Sequence, residues 1–323
     1  MTASAAEPEL SVVLVNHDGA DCLPRALEAL AAHTETDSVE CIVVDSGSSD
    51  GSWLDVSAHW AEARPLRFEE NIGFCAGCNR GAEESAGRLV AFVNYDGEVE
   101  AGWDAPLREL LADPTIALAT GLVLDPDGRT IQAAGLDIAP SMAAYGRQDR
   151  LPRSAAPREP VEVPAASGTL MMVRRGDFLA LGGFSESLFM YGEEADYSLR
   201  AAGRVVLAPG SAIRHEYGHA AGPRGSPLRR YLSSRNRLVN AARHLPAPTL
   251  AKSLLSSAAF DLATLVQSPS GPALRAALRG WRDGLAALPR ERSARSGLER
   301  REAARRLVGF REALVQHRRI ARA

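Results

Sequence analysis

Three carboxylates, Glu193, Glu194 and Asp196, stand within four positions behind a glycine and the apolar run Leu188-Phe189-Met190-Tyr191. From Glu194 onward, Tyr197, Leu199 and Ala201 can share one helix face. The acids then fall in a helix's first turn, where free N–H groups and the helix dipole favour negative charge. An ordinary acidic helix start has the same pattern. The apolar run in front, however, would draw the acids towards a partly buried place. A carboxylate there is suited to act as a general base. The spacing leaves open which of the three does so.

Other chemistry-bearing groups recur behind short apolar runs. Asp45 heads Asp-Ser-Gly-Ser-Ser-Asp-Gly-Ser, where a carboxylate can accept from a nucleobase N–H or a ribose hydroxyl, and Ser46 and Gly47 permit close backbone approach. The same residues also suit a helix cap. Asn71-Ile-Gly-Phe-Cys-Ala-Gly-Cys-Asn79 places small residues and two amides at a helix start, as a loop over a nucleotide-sugar would need. Its Cys75/Cys78 pair lacks the second ligand pair of a zinc site and the context of a redox motif. In Asn94-Tyr95-Asp96 a carboxylate follows a strand directly and can hold a divalent cation between two phosphates, with Glu98 as a helper. A plain turn is the other reading. His215 ends a short strand ahead of Glu216-Tyr-Gly-His219, and imidazole accepts Mn²⁺. Arg229, Arg230, Arg235 and Arg237 could grip phosphate or form a solvated helix face.

The elements that must position these groups alternate. Leu10–Val15 reads as a buried strand ending at Asn16, and Leu23–Leu30 as a helix with Asp21 as its cap. Strands are expected at Glu40–Asp45, Leu66–Phe68, Arg88–Val93 and Ile116–Leu124, with a loop over Asn71–Gly77 and a helix from Cys78 to Ser85. Such alternation implies βαβ units, an α/β fold with a mainly parallel, Rossmann-like sheet flanked by helices, and ligands at the strand C-terminal ends. Arg150–Pro164, with four prolines, reads as a flexible surface loop. Ser167–Val173 returns to the sheet, Arg175–Leu181 is a short helix, and two short strands follow at Val205–Leu207 and Ala212–His215. From Pro227 the texture turns to Ala/Leu/Arg helices. The division is therefore a nucleotide-binding and catalytic domain over residues 1–226 and a basic α-helical C-terminal appendage over 227–323.

Charge follows that division. Residues 1–224 carry 17 Lys+Arg against 34 Asp+Glu, and residues 225–323 carry 20 against 6, within a chain whose formal net charge is −3. An acidic body suggests a cation-using site, and a basic tail an anionic surface or partner. The tail is too helical and too poor in interleaved aromatics for nucleic acid. Four cysteines are too few for a disulfide framework, which suggests a reducing cytoplasm. The opening residues lack the basic flank and apolar core of a signal peptide, and no eighteen consecutive apolar residues predict a spanning helix. Leu254, Leu255, Phe260, Leu262 and Leu265 recur at helical spacing, as for a helix lying on an anionic membrane beside Lys252, or packing on the catalytic domain or a second copy in a homodimer.

Taken in order, several pieces resemble the bacterial family 2 glycosyltransferases, particularly the rhamnosyltransferase-like group, over residues 9–240. They are Ser11–Asn16, Val43–Ser52, Asn71–Asn79, Asn94-Tyr-Asp96, Ser167-Gly-Thr169, Gly182-Gly-Phe184, Phe189–Asp196 and Arg235-Asn236. The resemblance implies a GT-A fold, a nucleoside-diphosphate sugar donor, Mn²⁺ or Mg²⁺, and inversion at the anomeric carbon. It implies further that Asp45 contacts the nucleobase and that Asn71 and Gly73 line the nucleotide-sugar. Asn16, Ser46, Asn79, Asn94 and Arg235 are carried with them as donor-binding positions. Asp96 would ligate the metal with His215, and Glu194 would be the base, with Glu193 or Asp196 able to share the role. Tyr95 stands where the family pattern has proline, and Glu194 where it has aspartate.

The expected function is transfer of a sugar, rhamnose among the candidates, to a glycan or lipid-linked acceptor in cell-surface polysaccharide or cell-wall synthesis. The expected place is the cytoplasm, at the periphery of the inner membrane face. A non-catalytic nucleotide-sugar-binding homologue is the alternative, because Asn94 weakens the acidic pair. A dinucleotide oxidoreductase is disfavoured, since the first strand–helix turn lacks Gly-x-Gly-x-x-Gly.

Overall fold

The structure is a computed structural model that describes residues 7–216, 226–267, 270–293 and 297–309. Its first half alternates β1 (Leu10–Asn16), α1 (Leu23–His33), β2 (Val39–Ser46), α2 (Val56–His59), β3 (Ala63–Phe68), α3 (Gly73–Glu84) and β4 (Leu89–Val93). Next come β5 (Gly97–Val99), α4 (Asp104–Leu110), β6 (Ile116–Leu124), β7 (Ile131–Ala134), β8 (Leu136–Ile138) and β9 (Ala144–Gly146). The chain continues through β10 (Val161–Glu162), β11 (Leu170–Arg174), α5 (Arg175–Ala180), α6 (Glu193–Arg200) and β12 (Arg204–His215). Among the described residues four helices follow: α7 (Pro227–His244), α8 (Ala247–Gln267), α9 (Gly271–Ser293) and α10 (Gly297–Arg305).

The main sheet runs β10-β12-β6-β11-β4-β1-β2-β3, with β5 added on β12 and β7 on β6. β1 pairs parallel with β2 and β4, β2 with β3, and β12 with β6, while β11 lies antiparallel between β4 and β6. The ends of β1, β2, β4 and β12 and the start of β11 therefore share one edge. Apolar runs form these strands because both faces are covered. Val12 and Leu14 face one core with Leu23, Ala26, Leu27 and Leu30 of α1, while Val13 and Val15 face the other with Cys75, Cys78 and Ala82 of α3.

Several local expectations are corrected. α3 begins at Gly73, not after Gly77, because the Asn71 and Ser46 side chains satisfy its first N–H groups. The start of α1 has no side-chain cap from Asp21. Val205–Leu207 and Ala212–His215 are one strand, β12, interrupted by a bulge between Ala208 and Ala212 that accommodates Pro209, which has no N–H to donate. Arg150–Pro164 is pinned. Arg153 grips Glu100 with two hydrogen bonds (3.0 and 2.7 Å), and Val161–Glu162 pairs with β12.

The four closing helices are built differently. α7 packs chiefly on α9, where Gly280 and Gly284 allow close approach. A Cβ at Gly280 would sit 2.5 Å from the Tyr231 carbonyl oxygen. On α8 the pattern is inverted: Ser253, Ser257 and Asp261 are buried, while Leu255, Leu262 and Val266 are 74%, 65% and 72% exposed. The anticipated single stripe of leucines is thus split, with Phe260 turned inwards against Arg237. Although no long apolar run was expected, Ala247–Val266 is long and apolar enough to cross a membrane by length and composition.

Candidate active site

A cleft of about 570 Å³ opens at the shared edge of the strands. The register places Asn16 of β1 beside Asp45 of β2, and both are fully buried beneath the cleft. Asn16 Nδ2 donates to Asp45 Oδ1 (3.0 Å) and to Ser48 and Ser52 hydroxyls. Asp45 Oδ2 accepts from Arg67 Nη1 (2.9 Å), whose guanidinium lies 4.3 Å from the Trp53 ring centre. In this structure Asp45 therefore braces the floor from below and does not line the cleft. Ser46 and Asn71 do line it. The Ser46 hydroxyl donates to Asn71 Oδ1 (3.2 Å) and accepts from the Ile72 N–H (2.9 Å), and the Gly73 N–H donates to Asn71 Oδ1 (2.9 Å). At Gly73, φ is +81° and a Cβ would lie 2.5 Å from the Phe189 ring, so glycine is required there.

Asp96 follows β4 and His215 closes β12, bringing Asp96 Oδ1 within 3.1 Å of His215 Nε2. Gln132 of β7 holds the imidazole from behind. Its Nε2 donates to the His215 carbonyl (2.7 Å), which leaves its Oε1 to accept from Nδ1–H (3.0 Å). That tautomer turns the Nε2 lone pair towards the Asp96 carboxylate, an unfavourable meeting of two acceptors unless a proton or a cation lies between them. Ligands about 3 Å apart suit adjacent positions on an octahedral divalent ion, so this donor pair fits Mn²⁺ or Mg²⁺. Among the described residues no group of three or more His, Cys, Asp or Glu is arranged to hold a metal ion by itself. Water and substrate phosphate would complete the shell. Tyr95 leaves this arrangement open: its buried ring packs by Gly19 and its hydroxyl donates to the His17 carbonyl (3.3 Å).

Opposite stands the N-terminus of α6. The turn before it is strained, with φ of +65° at Phe189, +72° at Tyr191 and +87° at Gly192. α7 holds that turn in place. Asn236 Nδ2 donates to the carbonyls of Leu188, Met190 and Tyr191, Asn240 Nδ2 to that of Gly192, and Arg235 Nη2 to those of Ser187 and Leu188. Arg235, expected at the donor, thus positions the turn and does not line the cleft. Glu193 and Glu194 do line it, and a Cβ at Gly168 would stand 3.8 Å from the Glu194 Cβ. Burial pushes both carboxyls up, Glu193 well above the usual carboxylate range with the Glu194 charge adding to it. Of the two, Glu193 is pushed further towards its neutral form.

Asp196, the third acid, faces away. It is fully buried and accepts from His244 Nε2 (2.8 Å), Arg243 Nη1 (2.6 Å) and Arg200 Nε (2.9 Å). Although burial opposes ionisation, hydrogen bonding to His244 and these cations hold its carboxyl far below the usual range. It ties α6 to α7, and Arg243 carries the tie to Glu291 of α9 (2.5 Å). As a catalytic candidate it is corrected, because it is fully buried outside the cleft and engaged by three donors from α6 and α7. Asn79 likewise serves structure, donating to the Phe184 carbonyl (2.9 Å) and accepting from its N–H (2.8 Å). The four cysteines are free and buried. Burial pushes the Cys75 and Cys78 thiols well up, which makes them poor metal ligands or nucleophiles.

The structure thus brings Ser46, Asn71, Gly73, Asn94, Asp96, Glu193, Glu194 and His215 to one cleft, and leaves Asn16, Asp45, Asn79, Asp196 and Arg235 behind its walls. His219 lies outside the described residues. Sequence reasoning missed Gln132 and the Met142–Tyr145 segment by β9, which carry no local motif. Their proximity is created by antiparallel pairing of β7 with β6 and of β8 with β9.

Residues 11–181 match the model of "Glycosyl transferase family 2". A putative polypeptide N-acetylgalactosaminyltransferase 13 of Drosophila melanogaster is 30% identical over 235 residues, covering 65% of this chain and 42% of the fly protein. This chain thus spans less than half the length of that relative. An N-acetylglucosaminyl-diphospho-decaprenol L-rhamnosyltransferase of Mycobacterium tuberculosis is 30% identical over 251 residues, covering 66% of this chain and 78% of that one. Among solved structures, GalNAc-T7 with UDP, GalNAc and Mn²⁺ superposes with a TM-score of 0.60 at 20% identity, over 75% of this chain and 49% of that one. That similarity establishes the shared GT-A fold, with the mainly parallel sheet and flanking helices described above.

Proposed function

The chain belongs to glycosyl transferase family 2, and from that premise we propose that it is a metal-dependent, inverting glycosyltransferase using a nucleoside-diphosphate sugar. The observation that carries the reading is the convergence of two unlike acidic sites on one cleft: the Asp96–His215 pair and the adjoining carboxyls of Glu193 and Glu194. Bound there, Mn²⁺ or Mg²⁺ would supply charge neutralisation for the departing diphosphate. Asp96 and His215 would hold it, Gln132 fixing the imidazole's tautomer. Ser46, Asn71 and the N–H groups opening α3 would orient the donor. Glu194 would take the proton from the acceptor hydroxyl as it attacks the anomeric carbon, giving inversion in one displacement.

The acceptor class we propose is a glycan or lipid-linked saccharide met at the inner membrane face, in cell-surface polysaccharide synthesis. The outward leucines of α8 support a peripheral membrane contact. Rhamnose as the transferred sugar is supported by the likeness to the mycobacterial L-rhamnosyltransferase.

A thermal-shift screen of UDP-, GDP- and dTDP-sugars with and without Mn²⁺, followed by donor hydrolysis and transfer assays, tests the reading. We expect metal-dependent binding and turnover, both lost in Asp96→Ala without loss of fold. Metal-dependent binding with no hydrolysis or transfer would support the non-catalytic alternative, which Asn94 in place of a second acid favours. Full activity of Asp96→Ala would overturn the metal assignment.

A further inference from the structure

The wall of the cleft formed by α7 and α8 is cationic, a feature that handling of the donor by Asp96 and His215 does not explain. Arg229, Arg230 and Arg237 all line the cleft from α7. Arg237 is 5% exposed, lies 4.5 Å from the Phe260 ring centre and is answered by Asp261 at 2.6 Å. Asp261 is itself held by Trp281 Nε1 (2.7 Å). Arg230 is 9% exposed, and no carboxylate lies within ion-pair distance of it among the described residues. Its Nε is buried without a hydrogen-bond partner. Desolvation lowers its pKa, with Arg237 and Arg229 pushing the same way and Asp261 opposing. A guanidinium cannot give up its proton at neutral pH, so the cost of burying it unpaired is borne by the fold until an anion arrives.

We propose that Arg230 and Arg237 form the binding subsite for a phosphate or diphosphate group carried by the acceptor, so that the acceptor is anionic. The proposal rests on the glycosyl-transfer reading. It names the second substrate's chemistry, and it separates two anion-handling walls: a divalent metal on the sheet side for the donor, guanidinium groups on the helical side for the acceptor. A planar guanidinium suits phosphate because it donates paired hydrogen bonds as well as charge. Phe260 and Thr264 of α8 line the same end of the cleft, and the outer face of that helix carries the exposed Leu255, Leu262 and Val266. A phosphate attached to a lipid would find its headgroup and tail accommodated by one helix.

Titration calorimetry of the full chain in EDTA, with inorganic pyrophosphate and with farnesyl diphosphate, tests the subsite with no metal to recruit the anion to Asp96. We expect binding that Asp96→Asn leaves unchanged and that Arg230→Gln weakens about tenfold or more, with Arg230→Lys intermediate. Arg230→Gln should also melt no lower than the parent, because an unpaired buried cation has been removed. A purely structural arginine would lower the melting temperature and leave binding intact, which overturns the proposal. The double variant Arg237→Gln, Asp261→Asn removes the second cation without stranding a buried carboxylate, and should weaken binding further. Loss of binding in Asp96→Asn but not in Arg230→Gln assigns the anion to the donor side and also overturns it. Tighter binding of farnesyl diphosphate than of pyrophosphate identifies a lipid-linked phosphate, and equal binding a phosphate on a soluble acceptor. A parallel titration of nucleoside diphosphates with Mn²⁺ keeps the two readings apart: its failure sinks the transfer reading alone, while failure of the EDTA arm alone sinks the subsite.

Discussion

The two walls of the cleft are made by opposite means. On the sheet side, apolar strands end abruptly in polar residues, so functional groups sit at the rim of a dry core and are held by backbone register: Asn16 by Asp45, Asp96 by His215 across the strand ends. On the helical side the polar groups lie inside and the apolar ones outside. Asp196, Arg243, His244, Arg237 and Asp261 are buried, while Leu255, Leu262 and Val266 face outwards. A sheet edge gains its positional accuracy from hydrogen-bond ladders that exist for folding anyway. A helical wall without such a ladder needs buried ion pairs to fix its register, which cost desolvation and bring specificity of arrangement.

Three sets of substitutions would break or sharpen that contrast. Glu194→Gln should keep donor binding and lower turnover about 10²- to 10⁴-fold. Glu193→Gln, which mimics the protonated partner, should cost far less. Equal losses in both would show that the pair does not divide the role. Because burial raises the Glu194 carboxyl, activity in the parent should fall with decreasing pH at a higher value than an ordinary carboxylate's pKa of about 4.3, and a pH–rate profile measures this directly.

Next in size is Asp196→Asn, which removes the carboxylate charge from among Arg200, His244 and Arg243, leaving Arg243 paired with Glu291 alone, and should cost about 3 kcal/mol of stability. The folded carboxyl lies below its unfolded value. Its contribution is therefore present above about pH 4 and is lost as pH falls further. Chemical denaturation of both proteins across that range checks the magnitude and the sign. An unchanged midpoint would remove the central pin of the helical wall.

The smallest effect is expected at the surface. Leu255→Ser with Leu262→Ser should lower flotation with anionic liposomes severalfold and leave donor hydrolysis untouched, since neither side chain reaches the cleft. Unaltered flotation would identify the outward leucines as a contact with something other than lipid.

Much of the sheet side was legible. Short apolar runs closed by Asn16, Asp45–Ser46 and Asn94–Asp96 announce strands whose ends gather at one edge, because parallel pairing leaves no other arrangement for βαβ units. The bulge in β12 was less legible: Pro209 and Gly210 read as a break between strands, and only pairing with β6 and β5 carries one strand through it. Arg150–Pro164 misled for a similar reason. Its prolines exclude a helix, but Arg153 and Val161 find partners far away in sequence.

The sequence by itself determined that three acids open a helix behind an apolar turn, that carboxylates and amides end the strands, and that the tail is helical and basic. Tertiary structure alone decided which acid faces the cleft. Around the helix Asp196 stands only about 60° from Glu193, closer than Glu194 does, so periodicity does not single it out; the arrival of Arg243 and His244 from α7 claims it for packing. Tertiary structure likewise set Gln132 behind His215, answered Arg237 with Asp261 and, among the described residues, brought no carboxylate into ion-pair distance of Arg230. Local periodicity fixes what a residue's neighbours along the chain can be. Which charges meet across elements depends on how those elements pack, and that is settled by the summed burial of the whole core.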